Sequence, residues 1–226
     1  MTDVPSLLEQ FGLGDDDHAA WLESGLGDDA FVDWLTDRVA RRPAGARARA
    51  VYGSEDVHDF ARRAILDELA LGPGDALLEI GCGGGLLLRE AVSAGAAATG
   101  IDHSEEMVAL ARERAPEATV LLARAEEMPF EDASFTAVAM SVVFFFFADP
   151  VAVLEESRRV ARPGARLAVY TTAPELRGTP AAPEPLASRG HFHSDEELVR
   201  LATEAGWSGA KVASEWGGQL LAAVVI

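Results

Sequence analysis

The sequence predicts an α/β protein built on a doubly wound, mostly parallel sheet, and three observations support this prediction. First, the apolar run 76–80 leads directly into the glycine-rich stretch 81–85, after which a helical stretch begins. Second, strand-like and helix-like segments alternate from this point to the end of the chain. Third, another strand-like run ends at Asp102, 21 residues after Gly81.

Each predicted element follows from local signals. Strands are predicted where short apolar runs lie between turn residues, and helices where a capping residue precedes a periodic apolar stripe. Ser104 caps one helix, and Ser194 with Glu197 forms the capping box of another. The predicted strands are 76–80, 96–101, 119–122, 135–142, 166–171, 211–214 and 219–226, and the predicted helices are 86–94, 105–115, 151–161 and 195–205.

Residues 1–72 precede the first strand and are predicted to form a helical cap or lid, with residues 73–226 as the sheet domain. Two helices are predicted in this cap, and the second follows a capping residue at Ser54. The acidic run 15–17 is most simply a solvated loop. Together with the proline-rich loop 174–192, the cap is expected to close a pocket at the carboxyl ends of the strands.

The glycine-rich turn and Asp102 together indicate a site for a nucleoside-bearing cofactor. Glycines let a ligand lie against the main chain, and the N–H groups of the following helix point to the same place. A carboxylate at the end of the second strand can accept hydrogen bonds from both ribose hydroxyls. Since the glycines alone are equally compatible with a tight turn, Asp102 decides this interpretation.

Four motifs, in order, resemble those of the class I S-adenosylmethionine-dependent methyltransferases, in particular the small-molecule, methyltransferase-type-11-like members. The resemblance covers about residues 69–172. The motifs are E-I-G-C-G-G-G at 79–85, G-I-D-H-S at 100–104 with Met107 after it, A-E-E-M-P-F at 125–130, and R-V-A-R-P-G at 159–164.

The resemblance implies a Rossmann-like, seven-stranded sheet closed by an antiparallel C-terminal hairpin, and S-adenosyl-L-methionine as the cofactor. It implies that the glycine turn approaches the methionine half of the cofactor, that Asp102 binds the ribose and that His103 lies beside the adenine. The implied cofactor-binding residues are Glu79, Gly81, Cys82, Gly83, Gly85, Asp102, His103, Met107, Ala125, Glu126 and Ser141.

Two departures from the family pattern affect how the adenine and the methyl acceptor would be recognised. Arg124 stands where the family often has an Asp that accepts from the adenine amino group, and the turn 144–147 is F-F-F-F where relatives often have histidines. We therefore predict that Phe145, Phe146 and, from the N-terminal segment, Tyr52 contact a small apolar or aromatic acceptor. In-line placement and exclusion of water would supply most of the acceleration.

His191 and His193 are the candidate catalytic residues, because they are the histidines nearest in the chain to the expected mouth of the pocket. One of them would act as a base or hydrogen-bond partner, or both would be ordinary surface residues. With Asp195 they could also hold a metal ion. We expect no metal ion here, because short spacings that resemble a set of metal ligands often occur where no metal binds.

Two other functions remain open at this stage. A dinucleotide-dependent dehydrogenase is disfavoured because its fingerprint needs a third glycine at position 86, where the chain has Leu86. A protein that binds S-adenosylmethionine without transferring a methyl group stays possible, because the turn after the fourth strand offers no acid or base.

Composition favours a small molecule as the partner of this protein. The 226 residues carry a formal net charge of −18, which repels phosphate backbones and disfavours nucleic acid as a substrate. No segment is predicted to be a signal peptide or to span a membrane, and the single cysteine, Cys82, suits a reducing cytoplasm. Cys82 is expected to pack rather than react. Monomer and homodimer both remain open.

Overall fold

The computed structural model describes residues 4–215 and 218–226. The predicted turn at Trp216 and Gly217 lies outside these residues. The helices are α1 (Val4–Gln10), α2 (Asp15–Ser24), α3 (Phe31–Thr36), α4 (Gly45–Tyr52), α5 (Asp59–Leu69), α6 (Leu86–Ser93), α7 (Glu105–Arg114), α8 (Pro150–Val160), α9 (Leu186–Arg189) and α10 (Asp195–Glu204). The strands are β1 (Ala76–Ile80), β2 (Ala97–Asp102), β3 (Thr119–Leu122), β4 (Phe135–Ser141), β5 (Ala161–Thr172), β6 (Ser208–Glu215) and β7 (Gly218–Val224).

The strands form one seven-stranded sheet in the order β3-β2-β1-β4-β5-β7-β6, which confirms the predicted fold class. Strands β1 to β5 run parallel, and β7 pairs antiparallel with both β5 and β6. Strand β5 begins five residues earlier than predicted because Ala161 pairs with Phe135 beyond a register irregularity in the ladder. The strand order changes direction between β1 and β4, because β2 and β3 lie on one side of β1 while β4 and β5 lie on the other. In such sheets ligands bind at the carboxyl ends of the strands at this point.

Two apolar cores cover the two faces of the sheet. On one face, α8 and α10 bury Leu154, Leu198 and Trp207, and the Trp207 indole N–H donates to the Leu154 carbonyl oxygen at 3.0 Å. On the other face, α5, α6 and α7 pack against the strands. Ala61, Ile65 and Leu69 of α5 are among the fully buried residues of this second core. Helix α5 therefore packs as part of the sheet's core, although the sequence placed it in the cap.

Residues 4–40 have a small core of their own, formed by Leu8, Leu13, Trp21, Phe31, Leu35 and Val39. The predicted apolar stripe around Phe31 is present as α3, with a wider helical turn over Asp37–Arg41. The acidic run 15–17 is not the predicted solvated loop, because it forms the first turn of α2. Its Asp17 is buried and accepts from Arg38 Nε at 2.7 Å.

The second N-terminal helix also begins later than predicted. Ser54 does not cap it, since α5 begins at Asp59 and His58 occupies the N-cap position. His58 has a φ of 51°, in the left-handed region that few residues other than glycine and asparagine adopt readily. The short polar turn between α4 and α5 is therefore held in an unusual backbone conformation.

Polar contacts join the N-terminal segment to the edge of the sheet where β1 and β2 end. Ser104 Oγ donates to the Pro43 carbonyl oxygen at 2.7 Å, and His103 Nε2 hydrogen-bonds to the Arg41 carbonyl oxygen. The Arg114 guanidinium donates to the carbonyl oxygens of Tyr52, Gly53 and Gly84 at 2.9, 2.6 and 2.9 Å. These bonds hold residues 41–53 directly beside the glycine-rich turn.

We predict that Ser104→Ala lowers the free energy of unfolding by about 1–2 kcal/mol. Its hydroxyl caps α7 by accepting from the Met107 N–H, and it also binds the N-terminal segment at Pro43. Ser194→Ala is the matched control, since Ser194 caps α10 but makes no such bond to the N-terminal segment. Denaturant unfolding should show the smaller loss for Ser194→Ala, and equal losses would mean that the bond to Pro43 contributes nothing.

No helix among the described residues combines the length and apolar character that a membrane crossing requires.

Candidate cofactor and acceptor site

The glycine-rich turn 81–85 is folded tightly against the end of β2. The N–H groups of Gly81 and Cys82 both donate to the Ile101 carbonyl oxygen, at 2.8 and 3.0 Å. Gly81, Gly83 and Gly85 have φ values of 70°, 49° and 77°, which side-chain-bearing residues resist. A Cβ at Gly83 would meet no atom within 4 Å. The backbone at Gly83 is therefore open to a ligand.

Asp102 lies at the end of β2 with its carboxylate ordered by the backbone. The Gly83 N–H donates to Oδ2 at 2.9 Å, and the Ser104 N–H donates to Oδ1 at 2.8 Å. Each carboxylate oxygen has a second lone pair that can accept from a ligand hydroxyl. Burial raises the pKa of Asp102, while the hydrogen bonds from Ser104 and Gly83 oppose that rise.

Two further buried acidic groups lie beneath the turn. Burial, and after it the negative charge of Asp102, raises the pKa of Glu79 well above its ordinary value. Among the described residues, Glu79 Oε2 has no hydrogen-bond partner. Burial likewise raises the pKa of the Cys82 thiol, so this sulfur is a poor nucleophile. Cys82 instead packs against Gly100, where an added Cβ would lie 2.8 Å from the Cys82 Cβ.

A cavity of about 490 Å³ opens at the carboxyl ends of β1, β2 and β4. Its volume is in the usual range for small-molecule sites. Most of the residues proposed from the sequence lie on its wall: Tyr52, Glu79, Gly81, Cys82, Gly83, Asp102, His103, Met107, Ala125, Glu126, Ser141 and Phe146.

Four of the proposed residues do not line the cavity, namely Gly85, Phe145, His191 and His193. Gly85 lies behind the turn, where an added Cβ would be 2.9 Å from Ala111. The Phe145 ring is 2% exposed and stacks on Phe192 with 5.6 Å between ring centroids.

The two histidines lie on the outer side of the phenylalanine turn. The His191 N–H donates to the Phe145 carbonyl oxygen at 2.7 Å, and the His193 ring packs against Phe144. Burial lowers the pKa of His193. Phe147 takes the place on the wall that Phe145 was predicted to have. The sequence alone did not indicate which of the four rings would line the cavity.

The N-terminal segment contributes a part of the wall that sequence reasoning largely missed. The lining includes Arg41, Arg42, Pro43, Val57, His58 and Arg62 besides Tyr52. No residue of the loop 174–192 lines the cavity, so that half of the expected cover is absent from its wall. No local sequence signal marked His58, because it precedes α5 in a left-handed conformation and does not lie on a helix face.

The comparisons with known proteins agree with this geometry. Residues 78–169 match the model of a family described as a methyltransferase domain. A demethylmenaquinone methyltransferase from Beutenbergia cavernae is 32% identical over 181 residues, which cover 70% of this chain and 75% of that protein. This chain belongs to the class I S-adenosylmethionine-dependent methyltransferases.

Other matches extend over shorter or more divergent stretches. The 27-O-demethylrifamycin SV methyltransferase of Amycolatopsis mediterranei is 40% identical over 108 residues, covering 45% of this chain and 40% of that protein. A crystal structure of an S-adenosylmethionine-dependent methyltransferase from Aquifex aeolicus superposes with a TM-score of 0.65 at 24% identity, covering 80% of this chain and 98% of that one. The matched part of the chain spans between about a third and three quarters of the length of these curated relatives.

Family membership sets aside the dehydrogenase alternative and makes the protein an enzyme that uses S-adenosylmethionine. The cavity of the methyltransferase fits that cofactor on two observations. The second lone pairs of Asp102 suit a pair of ribose hydroxyls, and the open backbone at Gly83 leaves room for the ligand beside them. Among residues 4–215 and 218–226, no group of three His, Cys, Asp or Glu side chains is placed to hold a metal ion.

Proposed function

We propose that this methyltransferase transfers its methyl group to a small, apolar or aromatic metabolite. The observation that carries the proposal is a set of apolar residues on the cavity wall, besides the residues assigned to the cofactor. These residues are Val57, Val143, Phe146 and Phe147. An apolar wall of this kind binds apolar or aromatic ligands by burying their surface.

The residues that hold the cofactor in this proposal are those that the sequence motifs indicate and that line the cavity. Asp102 binds the ribose hydroxyls, the turn 81–85 lies along the methionine half, and the backbone at Ala125 and Glu126 meets the adenine edge. When bound, S-adenosylmethionine supplies an activated methyl group, because its sulfur leaves as a neutral thioether. The protein's task is then to align the acceptor with that methyl group and to exclude water.

Segment 40–62 provides the cover in this proposal. It lines the cavity through residues on both sides of α4, and Arg114 ties it to the glycine turn through three carbonyl oxygens. Since α5 packs on the sheet, we propose that only residues before Asp59 move aside for ligand entry.

The names of two relatives support a small-molecule acceptor. One is a demethylmenaquinone methyltransferase and the other a 27-O-demethylrifamycin SV methyltransferase, so both are named for small-molecule acceptors. The formal charge of −18 agrees, because a strongly acidic protein repels polyanionic substrates. The acceptor atom of this enzyme, oxygen, nitrogen or carbon, is left open by these observations.

The experiment is a turnover assay with S-adenosylmethionine and a panel of acceptors, in which formation of S-adenosylhomocysteine is measured. The panel contains naphthols, substituted phenols, aromatic amines, a DNA duplex, a transfer RNA and a protein mixture. We expect turnover with apolar aromatic compounds and none with the polymers. Turnover with a polymer alone would contradict the proposal.

We predict that His191→Ala and His193→Ala each lower kcat less than a hundredfold. General base catalysis contributes about 10²–10⁴-fold, and neither side chain reaches the cavity wall. Steady-state kinetics with a panel compound that the enzyme methylates measures the effect. A loss of a thousandfold or more at either histidine would show that the 174–193 segment closes over the acceptor and supplies a base.

A further inference from the structure

His58 is a histidine on the cavity wall that no motif singles out. It precedes α5, its ring lies edge-on to Tyr52 with 6.4 Å between centroids, and it is half-buried. No described residue hydrogen-bonds to either ring nitrogen, and neither nitrogen is among the fully buried unpartnered atoms. The imidazole therefore has donor and acceptor capacity available to a molecule in the cavity.

Contacts of a neighbouring residue relate the turn that carries His58 to the ends of β4 and β5. Phe60, two residues further on, packs its ring on Tyr170 with 5.6 Å between centroids. Tyr170 of β5 pairs with Ser141 of β4, and Ser141 is the last residue of that strand and lines the cavity. His58 is thus placed near the carboxyl ends of β4 and β5, whereas the ribose-binding carboxylate ends β2.

The other histidines are worse placed for a role in proton transfer. His103 also lines the cavity, but its Nε2 is engaged by the Arg41 carbonyl oxygen at 2.5 Å, next to Asp102. His191 and His193 lie outside the wall. Of the histidines in the described part of the chain that line the cavity, His58 is therefore the one with a free ring.

The surroundings of His58 favour the neutral imidazole, which is the form that accepts a proton. Burial lowers its pKa below the ordinary value, and the positive charge of Arg62 on the next turn of α5 lowers it further. Arg62 is itself held by Glu90 and Asp59, each at 2.7 Å. Tyr52 faces His58 from α4, and its own pKa is raised to about 12, so the phenol stays neutral.

We propose that His58 accepts the proton of a hydroxyl group on the methyl acceptor and is the catalytic base of this enzyme. The inference rests on the proposed function and adds to it that the acceptor is a phenol or enol. The acceptor's O–H bond breaks, the proton bonds to a ring nitrogen of His58, and the oxygen keeps the electron pair that forms its bond to the methyl carbon. The imidazolium returns the proton to solvent after the product leaves.

The direct test uses the full-length enzyme saturated with S-adenosylhomocysteine and titrated with 4-nitrophenol and 1-naphthol. The ring-nitrogen NMR signals of His58 are assigned by their loss in His58→Asn, a variant chosen because asparagine tolerates the left-handed φ. We expect saturable shifts of the His58 signals and no shift of the signals of His18, which lies on α2 and does not line the cavity. Unchanged His58 signals with a bound phenol would overturn the inference.

Kinetics with the same phenols give the second readout. With 1-naphthol, we expect His58→Asn to lower kcat about 10²–10⁴-fold. The wild-type rate should stop rising with pH above about 6.5, the ordinary histidine value, whereas the rate of the variant should go on rising as the naphthol itself ionises. In His58→Gly, whose backbone also suits the site, added imidazole should restore part of the rate. His18→Asn should match the wild-type enzyme.

The outcomes separate this inference from the proposed function. Equal rates and equal pH profiles for the wild-type enzyme and His58→Asn would overturn the role of His58 and leave the small-molecule function intact. Methylation of aromatic amines without methylation of any phenol would do the same. No transfer to any small molecule would overturn both.

Discussion

Replacement of Asp102 by alanine is expected to weaken the binding of S-adenosylmethionine by roughly 1.5–3 kcal/mol, or roughly 10- to 150-fold in Kd. The carboxylate is buried at the end of β2, and backbone N–H groups of Gly83 and Ser104 fix its orientation. Hydrogen bonds from ribose hydroxyls to a fixed, charged acceptor are the strong kind. Titration calorimetry with the purified protein measures the change.

Asp102→Asn is the control for the backbone of the turn. The amide oxygen can still accept one of the two backbone N–H bonds, but the charge and one acceptor oxygen are lost. We expect a Kd between those of the wild-type protein and Asp102→Ala, with a Tm close to that of the wild type. Unchanged affinity in Asp102→Ala would contradict the assignment of this carboxylate to the cofactor.

Gly85→Ala is expected to destabilise the fold by roughly 2–5 kcal/mol. Its φ of 77° costs a side-chain-bearing residue roughly 1–2 kcal/mol, and overpacking adds roughly 1–3 kcal/mol. The new Cβ would lie 2.9 Å from both the Cα and the Cβ of Ala111, so α7 would have to shift away from α6. Denaturant unfolding measures the loss.

Gly83→Ala is the matched control, because it has a positive φ of 49° but open space around its Cβ position. We expect a smaller loss of stability, about 1–2 kcal/mol, together with a weaker affinity for S-adenosylmethionine, since the methyl group enters the cavity. The two variants thus separate a structural glycine from a ligand-facing one. Equal losses of stability with no change in affinity at Gly83 would show that the turn does not approach the cofactor.

The sheet and the position of the glycine turn beside Asp102 could be predicted because their signals are local. The run 76–80, the glycine turn after it and Asp102 each follow from short-range sequence patterns, and the structure places them together. The predicted strands differ from the observed ones mainly at their ends, as in β5, where pairing across the sheet extends the strand beyond the apolar run.

The N-terminal segment and the cavity wall near the turn 144–147 could not be predicted, because they depend on contacts between distant parts of the chain. Asp17 is buried through its bond to Arg38, which no pattern around 15–17 reveals. The choice of Phe147 rather than Phe145 for the wall depends on stacking with Phe192. His58 lines the cavity from the turn between α4 and α5, whose left-handed backbone conformation no local pattern in the sequence predicts.

Mass spectrometry of a cell extract incubated with the enzyme and deuteromethyl-labelled S-adenosylmethionine tests the proposed small-molecule acceptor. We expect a trideuteromethyl label on a small apolar or aromatic metabolite, with S-adenosylhomocysteine formed in equal amount and both signals greatly reduced in Asp102→Ala. Label found in nucleic acid or protein, with none in the small-molecule fraction, would contradict this expectation.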